Sequence, residues 1–329
     1  MLNSHDSYTG SEDNSDISIV VPAYNEEGNI HKLYEELIKV LPFLDVSWEI
    51  IFVDDGSVDE TWEEIVSLHR MDKHIKGVRL SRNFGHQYAL LSGLSQASGK
   101  AVISMDADLQ HPPQTIPKLV EEWRKGSKIV HAMRLDIENV SFFKSITSRL
   151  FYKMFAFLSG VEIEDGMADF RLLDRQVLNN ILQLREEGFF LRGLVQWVGY
   201  PSSKVMFQCQ KRFSGSSKYT LKKMLKLALS GITSFSVVPL RLGIFIGMLT
   251  SVIAFGGLVY AVSSFLMGVA VHGWSSIVFI FSFLFGILFI LLGLIGEYIG
   301  RILIEVRCRP RFLIREKVGI KNTARDNFI

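Results

Sequence analysis

Short apolar, β-branched runs alternate with helix-period segments through the first half of the chain. ISIVVPAYN from Ile17 precedes a helical pattern over about 27–41, EIIFVDD from Glu49 precedes one over 61–69, and IKGVRLS from Ile75 precedes one over 87–97. KAVISMDAD from Lys100 then leads to 114–125, and SKIVHAM from Ser127 to an apolar helical segment around 142–158. Strand, helix, strand in this succession predicts right-handed βαβ units, hence an α/β fold with a mostly parallel sheet covered on both faces. The pattern changes after Arg241, because no Asp, Glu, Lys or Arg occurs from Leu242 to Gly296. That stretch of about 55 residues suits two transmembrane helices at about 20 residues per crossing, expected at about 242–267 and 275–298. A buried hairpin of a soluble protein is the competing reading, and the length of the apolar runs disfavours it.

Five regions follow: a disordered tail over 1–15, a globular catalytic domain over 16–219, an interfacial amphipathic helix over 220–239, the transmembrane pair within 240–302, and a basic tail over 303–329. The first segment has neither an apolar core nor a basic start, so it reads as no signal peptide. Lys222, Lys223, Lys226 and Arg241 stand before the apolar stretch, and Arg301, Arg307, Arg309, Arg311, Arg315 and Lys317 after it, whereas the connection near 268–275 carries only His272. The positive-inside rule then puts both termini and the globular domain of a multi-pass membrane protein in the cytoplasm.

Composition narrows the classes further. With 48% hydrophobic residues and 36 basic against 34 acidic, the chain is neither a disordered tail protein nor a strongly basic nucleic-acid binder. Its two cysteines, Cys209 and Cys308, give no metal-ligand spacing and exclude a disulfide scaffold.

In sheets of this kind ligands bind outside the carboxyl ends of the strands. Pro22 to Glu26 follow the first strand, Asp54-Asp55-Gly56-Ser57 the second, and Asp106-Ala107-Asp108 the fourth. Asp106 and Asp108, two apart at a strand end, point to one side and suit a hard divalent cation shared with substrate phosphates, with Gln110 adding a neutral oxygen. Capping of the next turn is the alternative for a lone Asp. The Asp54–Ser57 run reads either as an Asx turn or as a carboxylate for a nucleotide base or ribose, beside the aromatic Tyr24 and the acceptor Glu26. Neither Gly-x-Gly-x-x-Gly nor Gly-x-x-x-x-Gly-Lys-Ser/Thr occurs, which argues against a dinucleotide oxidoreductase and a P-loop NTPase.

Val21-Pro22-Ala23-Tyr24-Asn25-Glu26-Glu27, Asp54-Asp55-Gly56-Ser57, Arg82-Asn83-Phe84-Gly85, Asp106-Ala107-Asp108-Leu109-Gln110 and Arg212-Phe213-Ser214-Gly215-Ser216-Ser217-Lys218-Tyr219, in this order, resemble the motif set of glycosyltransferase family 2. Within it the chain looks most like the polyprenyl-phosphate glycosyltransferases, the group of bactoprenol glucosyltransferases and dolichyl-phosphate mannose synthases. The resemblance covers about residues 16–300. It implies a GT-A fold, a nucleotide-diphosphate sugar donor, Mg2+ or Mn2+, a polyprenyl-phosphate acceptor and inversion at the anomeric carbon, with glucose from UDP-glucose the first choice of donor. It assigns Pro22, Tyr24, Glu26, Val53, Asp55 and Ala107 to the nucleotide sugar, and Asp106, Asp108 and Gln110 to the metal and diphosphate. It further assigns Arg134, Arg212 and Lys218 to phosphates, and Arg149 to the acceptor phosphate. Ala168-Asp169-Phe170-Arg171-Leu172 resembles the segment of the bacterial branch in which an Asp lies near the acceptor. A phosphate monoester has a second pKa near 6 and is largely a dianion at neutral pH, so positioning suits Asp169 better than base catalysis. Helix capping and an ion pair to Arg171 are its other readings.

A lipid acceptor requires the site to lie at the bilayer. Phe142, Phe143, Ile146 and Leu150 recur at helical spacing among Lys144, Arg149 and Lys153, and Leu221, Met224, Leu225 and Leu229 do so beside Lys222, Lys223 and Lys226. Both segments read as basic amphipathic helices at the lipid surface. Glycines from Gly243 to Gly300 offer small faces for helix packing or for a homo-oligomer. A processive polysaccharide synthase is the second enzyme reading, disfavoured by the absence of Gln-x-x-Arg-Trp around Val195-Gln196-Trp197 and by two crossings only. A non-catalytic nucleotide-sugar-binding scaffold is disfavoured because the carboxylates and the Arg212–Lys218 loop are all present.

Overall fold

Runs that are apolar on both faces can only be strands covered on both faces, and the first four pair in that way. A computed structural model describes residues 15–135, 167–184, 191–208, 238–268, 273–307 and 309–320. In it β1 (Ile17–Ala23), β2 (Trp48–Asp54), β3 (Ile75–Leu80) and β4 (Ala101–Ser104) run parallel in the order β4-β1-β2-β3. Every residue of β1 is buried. The connections are α1 (Asn29–Ile38), α2 (Thr61–Met71) and α3 (His86–Gln96), and α4 (Ile116–Arg124) follows β4, all close to the positions that periodicity predicts. Helix α3 lies unusually near the sheet at Gly93, where a Cβ would sit 2.4 Å from Val20 Cγ1 and 2.7 Å from Val53 Cγ2.

Beyond these four the array stays mostly parallel, with two strands added antiparallel to the rest. Among the described residues it has eight strands in the order β7-β5-β6-β4-β1-β2-β3-β8, with β5 (Ile129–Arg134), β6 (Met167–Asp174), β7 (Ser202–Phe207) and β8 (Ile314–Val318). Strand β6 enters between β4 and β5 antiparallel to both, and β5 pairs with β7 in parallel. The reversal has a direct consequence for chemistry. With Ser104 opposite Arg171 and Ala101 opposite Asp174, the first residues of β6 lie beside the carboxyl end of β4. Asp174 then caps α5 (Arg175–Gln183) by accepting from the Gln176 N–H, and α6 (Leu191–Trp197) packs its buried Leu191, Leu194 and Val195 into the domain.

Residues 314–318 fall in the stretch expected as a basic tail, but they form β8, antiparallel to β3 with Val318 opposite Gly77. The strand fits because Gly77 has no side chain: a Cβ there would lie 2.7 Å from Val318 Cγ1. Lys317 Nζ donates to Gln96 Oε1 at 2.8 Å, and the Ser81 N–H donates to the Leu313 carbonyl at 2.8 Å. The edge of β3 is thereby paired.

The described residues divide into two compact units, one built on the sheet and one on the helices α7 (Val238–Leu266) and α8 (Trp274–Arg307). The two helices meet at Gly243, where a Cβ would lie 2.7 Å from Leu291 Cδ2. At Gly247, Gly256, Gly257, Gly286, Gly293, Gly296 and Gly300 a Cβ would meet nothing within 4 Å. One stretch, Phe283–Arg307, is long and apolar enough to cross a membrane, and Gly243–Gly257 is a shorter apolar helical stretch. The amphipathic segment expected around 142–158 and all but the last two residues of the one expected over 220–239 lie outside the described residues; Val238 and Pro239 begin α7.

Candidate active site

Three loops at the carboxyl ends of β1, β2 and β4 form the site, and each is held by a side chain from a neighbour. Ala23 of β1 lies opposite Asp54 of β2, which puts the two loops side by side. Asn25 adopts a left-handed φ of 55°; its N–H donates to Ser57 Oγ at 3.0 Å and its Oδ1 accepts the Val58 N–H at 3.1 Å. The Glu26 N–H donates to Thr61 Oγ1 at 3.0 Å, and the Glu26 carboxylate accepts from Asn29 Nδ2 at 2.6 Å. Tyr24 is left 45% exposed, an aromatic face open to a ligand. Pro22 and Val53 are buried and lie opposite each other in the β1–β2 ladder.

Asp54 and Asp55 divide the work of shaping the second loop. Asp54 accepts the Ser57 N–H at 2.8 Å and pairs with Arg79 Nε at 3.1 Å. Asp55 accepts the N–H groups of Phe84 at 2.8 Å and Gly85 at 2.9 Å, fixing the 82–85 loop and the start of α3. Burial raises its carboxyl above the ordinary value despite these two donors. Gly56 makes the approach of the two loops possible: its φ is 70°, and a Cβ would lie 2.5 Å from the Arg82 carbonyl carbon.

The loop after β4 carries the paired carboxylates. The Asp106 N–H donates to His111 Nδ1 at 3.0 Å, Asp108 Oδ1 accepts the Gln110 N–H at 3.1 Å, and Leu109 takes a φ of 61° to turn the chain between them. Ala107 is buried. Arg134, at the end of β5, donates through Nη2 to Gln110 Oε1 at 3.3 Å and so joins this cluster. Asp106 Oδ1 is buried and has no hydrogen-bond partner. An orphaned carboxylate oxygen with a second carboxylate and an amide oxygen on the same short loop fits a hard divalent cation. Among the described residues no group of three or more His, Cys, Asp and Glu forms a metal cluster, so these side chains would supply only part of a coordination shell.

Asp169, delivered by the antiparallel β6, is the most heavily engaged group of the site. Arg192 grips it with Nε 2.9 Å from Oδ1 and Nη2 3.0 Å from Oδ2, while Arg171 Nη2 lies 3.0 Å from Oδ1. Gln87 Nε2 approaches Oδ2 at 3.4 Å. His86 Nε2 lies between the two carboxylates, 3.5 Å from Asp169 Oδ2 and 3.6 Å from Asp106 Oδ1. Burial pushes the Asp169 carboxyl up, but the hydrogen bond from His86 and the charges of Arg192 and Arg171 outweigh it and hold the group well below the carboxylate range. Burial brings the fully enclosed Arg171 down to about 10. For His86 burial acts downward, yet its bond to Asp169 and the nearby Asp106 raise it above the usual value. A carboxylate so held is a weak proton acceptor.

Several of these residues carry no obvious signal in the sequence. His86 and Gln87 directly follow the Arg82–Gly85 motif and His111 directly follows Gln110, so proximity marks them. Arg192 lies 23 positions from Asp169 on another element, and only the fold brings it in. Arg149, Arg212 and Lys218 lie outside the described residues.

A family model described as Glycosyl transferase family 2 matches residues 18–182. An uncharacterized glycosyltransferase of Synechocystis sp. is 41% identical over 310 residues, 93% of this chain and 96% of that protein. The SfII prophage-derived bactoprenol glucosyl transferase of Shigella flexneri is 39% identical over 301 residues, 91% of this chain and 97% of that one. A solved structure of glucosyl-3-phosphoglycerate synthase from Mycobacterium tuberculosis, with Mn2+, uridine diphosphate and glucosyl-3-phosphoglycerate, is similar with a TM-score of 0.46 and 19% identity, covering 67% of this chain and 78% of that one.

Proposed function

The chain belongs to glycosyltransferase family 2 and is a glycosyltransferase, and from that premise we propose that it transfers a monosaccharide from a nucleotide-diphosphate sugar to polyprenyl phosphate, with inversion, at the cytoplasmic face of a membrane. Glucose from UDP-glucose is the first choice of donor, in keeping with the 39% identity to a bactoprenol glucosyl transferase over 91% of the chain. The observation that carries the reading is the juxtaposition at the end of β4, where Asp106 Oδ1, which makes no hydrogen bond, lies 3.6 Å from His86 Nε2 at the edge of the cationic assembly around Asp169. One end of that crevice suits a cation and a diphosphate, and the other suits an anionic acceptor.

In this reading Pro22, Tyr24, Glu26 and Val53 receive the nucleoside, while Asp55 acts on it through the 82–85 loop. Asp106, Asp108 and Gln110 would hold Mg2+ or Mn2+, which supplies charge neutralisation for the departing diphosphate. Arg134, together with Arg212 and Lys218, binds phosphate oxygens. An oxygen of the acceptor phosphate attacks the anomeric carbon on the face opposite the nucleotide; the new C–O bond forms as the bond to the β-phosphate breaks, and the nucleoside diphosphate leaves. No proton needs to be removed from a phosphate that is already a dianion. Asp169 therefore acts by holding Arg192 and His86 in place beside the reacting centre.

The membrane part follows from the acceptor. Helix α8, with 34 residues at 1.5 Å each, is about 51 Å long, more than the roughly 30 Å of a hydrocarbon core. Its basic end near Arg307 would stand in the headgroup layer. We assign α7 and α8 to a two-helix membrane hairpin, and their open glycine faces suit packing against a second copy.

The test compares wild type with Asp108→Ala in a transfer assay to short-chain polyprenyl phosphate. Loss of about 100-fold or more of turnover is expected. A folded variant with wild-type turnover would contradict the assignment.

A further inference from the structure

The loop that carries Asp106 and Asp108 is closed by an imidazole that the proposed reaction does not use. His111 has no solvent exposure; its ring stacks on Phe170 with centroids 5.1 Å apart and meets the edge of Phe207 at 5.9 Å. Nδ1 lies 3.0 Å from the backbone nitrogen of Asp106. A backbone N–H only donates, so Nδ1 is the acceptor and the proton of the neutral ring sits on Nε2. Nε2 is buried, makes no hydrogen bond among the described residues, and faces Asp106 Oδ2 at 3.7 Å. One rigid ring thus addresses the same residue twice, at its backbone and at its carboxylate.

We propose that His111 is a positioning residue for the cation site, resting on the assignment of Asp106 and Asp108 to the cation. Its acceptor fixes where the Asp106 backbone leaves β4, and its Nε2–H lies on the Oδ2 side of the carboxylate, which leaves Oδ1 as the oxygen to present to a ligand. A small rotation of the carboxylate closes the 3.7 Å gap into a hydrogen bond. The aromatic walls of Phe170 and Phe207 hold the ring plane, which makes the anchor stiff. Partners that orient a metal ligand in this way typically contribute about 10–100-fold to metal affinity. An amide side chain offers only one of the two contacts from that place, and an aromatic hydrocarbon offers neither.

The experiment measures Mn2+ binding to the full-length protein in detergent, by the electron paramagnetic resonance signal of free Mn2+, with UDP present and in a parallel series with GDP. His111→Phe keeps the aromatic stack and removes both nitrogens, and should weaken Mn2+ binding about 10–100-fold. His111→Asn keeps an acceptor for the Asp106 N–H alone and should fall between that variant and wild type. Thermal unfolding is recorded for each. A merely structural role would lower the melting temperature and leave the Mn2+ affinity of the folded fraction unchanged, and that result in either variant overturns the proposal. If His111→Phe does not fold, His111→Asn decides by the same criterion. Wild type that binds Mn2+ with neither nucleotide overturns the cation assignment and this inference together, whereas wild-type binding with unaffected variants overturns the inference alone.

Discussion

Asp169→Asn removes one charge where four side chains from three elements converge: Arg171 of β6, Arg192 of α6, and His86 with Gln87 of α3. Asp169 is 6% exposed and Arg171 fully buried, so the loss falls on a guanidinium that cannot turn to water. Removing one partner of a buried pair costs about 3–5 kcal/mol, and an Asn oxygen recovers one hydrogen bond of about 1 kcal/mol, leaving about 2–4 kcal/mol. The Arg192 side chain is 37% exposed and solvent screens its share, which places the expectation toward the lower end. At about 2–4 °C per kcal/mol for a domain of this size, the melting temperature should fall by about 4–16 °C. The pH dependence has a definite sign. A carboxyl held below its ordinary value contributes stability that is complete above the unfolded value of about 3.9 and is lost as pH falls through the lower folded value. The gap between wild type and variant should therefore be widest near pH 5 to 6, where His86 is protonated, shrink as pH rises through the raised His86 value, and narrow again in strong acid. Circular dichroism melts in detergent, with transfer rates on the same samples, provide the assay. A variant that melts with wild type but has lost turnover would refute the reasoning and restore Asp169 as a base.

Two further outcomes test the scaffold of the site. Gly56→Ala forces a side chain into a φ of 70° and against the Arg82 backbone, and should cost about 2 kcal/mol or more in a thermal melt; an unchanged melt would mean that the loops separate easily. Deleting residues 310–329 removes β8 and bares the edge of β3, so the melting temperature should fall and light scattering should rise on warming. A monodisperse truncation with wild-type stability would show that the strand contributes nothing.

The parts of the fold that can be read in the sequence are those fixed by local pattern. Strands β1, β2 and β4 are built on apolar runs and β3 alternates apolar residues with Lys76 and Arg79, and each next helix begins within a few residues of its predicted start. Strand β6 escapes this reading because Arg171 interrupts its apolar run; the charge is buried only because Asp169 and the surrounding fold compensate it. Strand β8 reads as a tail because Arg315, Glu316 and Lys317 give it the composition of one, while its partner β3 lies far earlier in the chain. The site divides in the same way. Asp55, Asp106 and Asp108 announce themselves by following strands, yet the use of Asp55 to hold the Phe84 and Gly85 N–H groups depends on a loop 29 and 30 positions away. Asp169 is visible as a residue, but its saturation by Arg192 and His86 exists only in three dimensions.

The central claim is sugar transfer to a lipid phosphate. Full-length protein in detergent, given short-chain polyprenyl phosphate, Mg2+ or Mn2+, and a panel of radiolabelled UDP and GDP sugars, should form a chloroform-extractable product with one donor, and EDTA should abolish it. Nucleotide binding that depends on metal, with no lipid-linked product from any donor, would contradict the account.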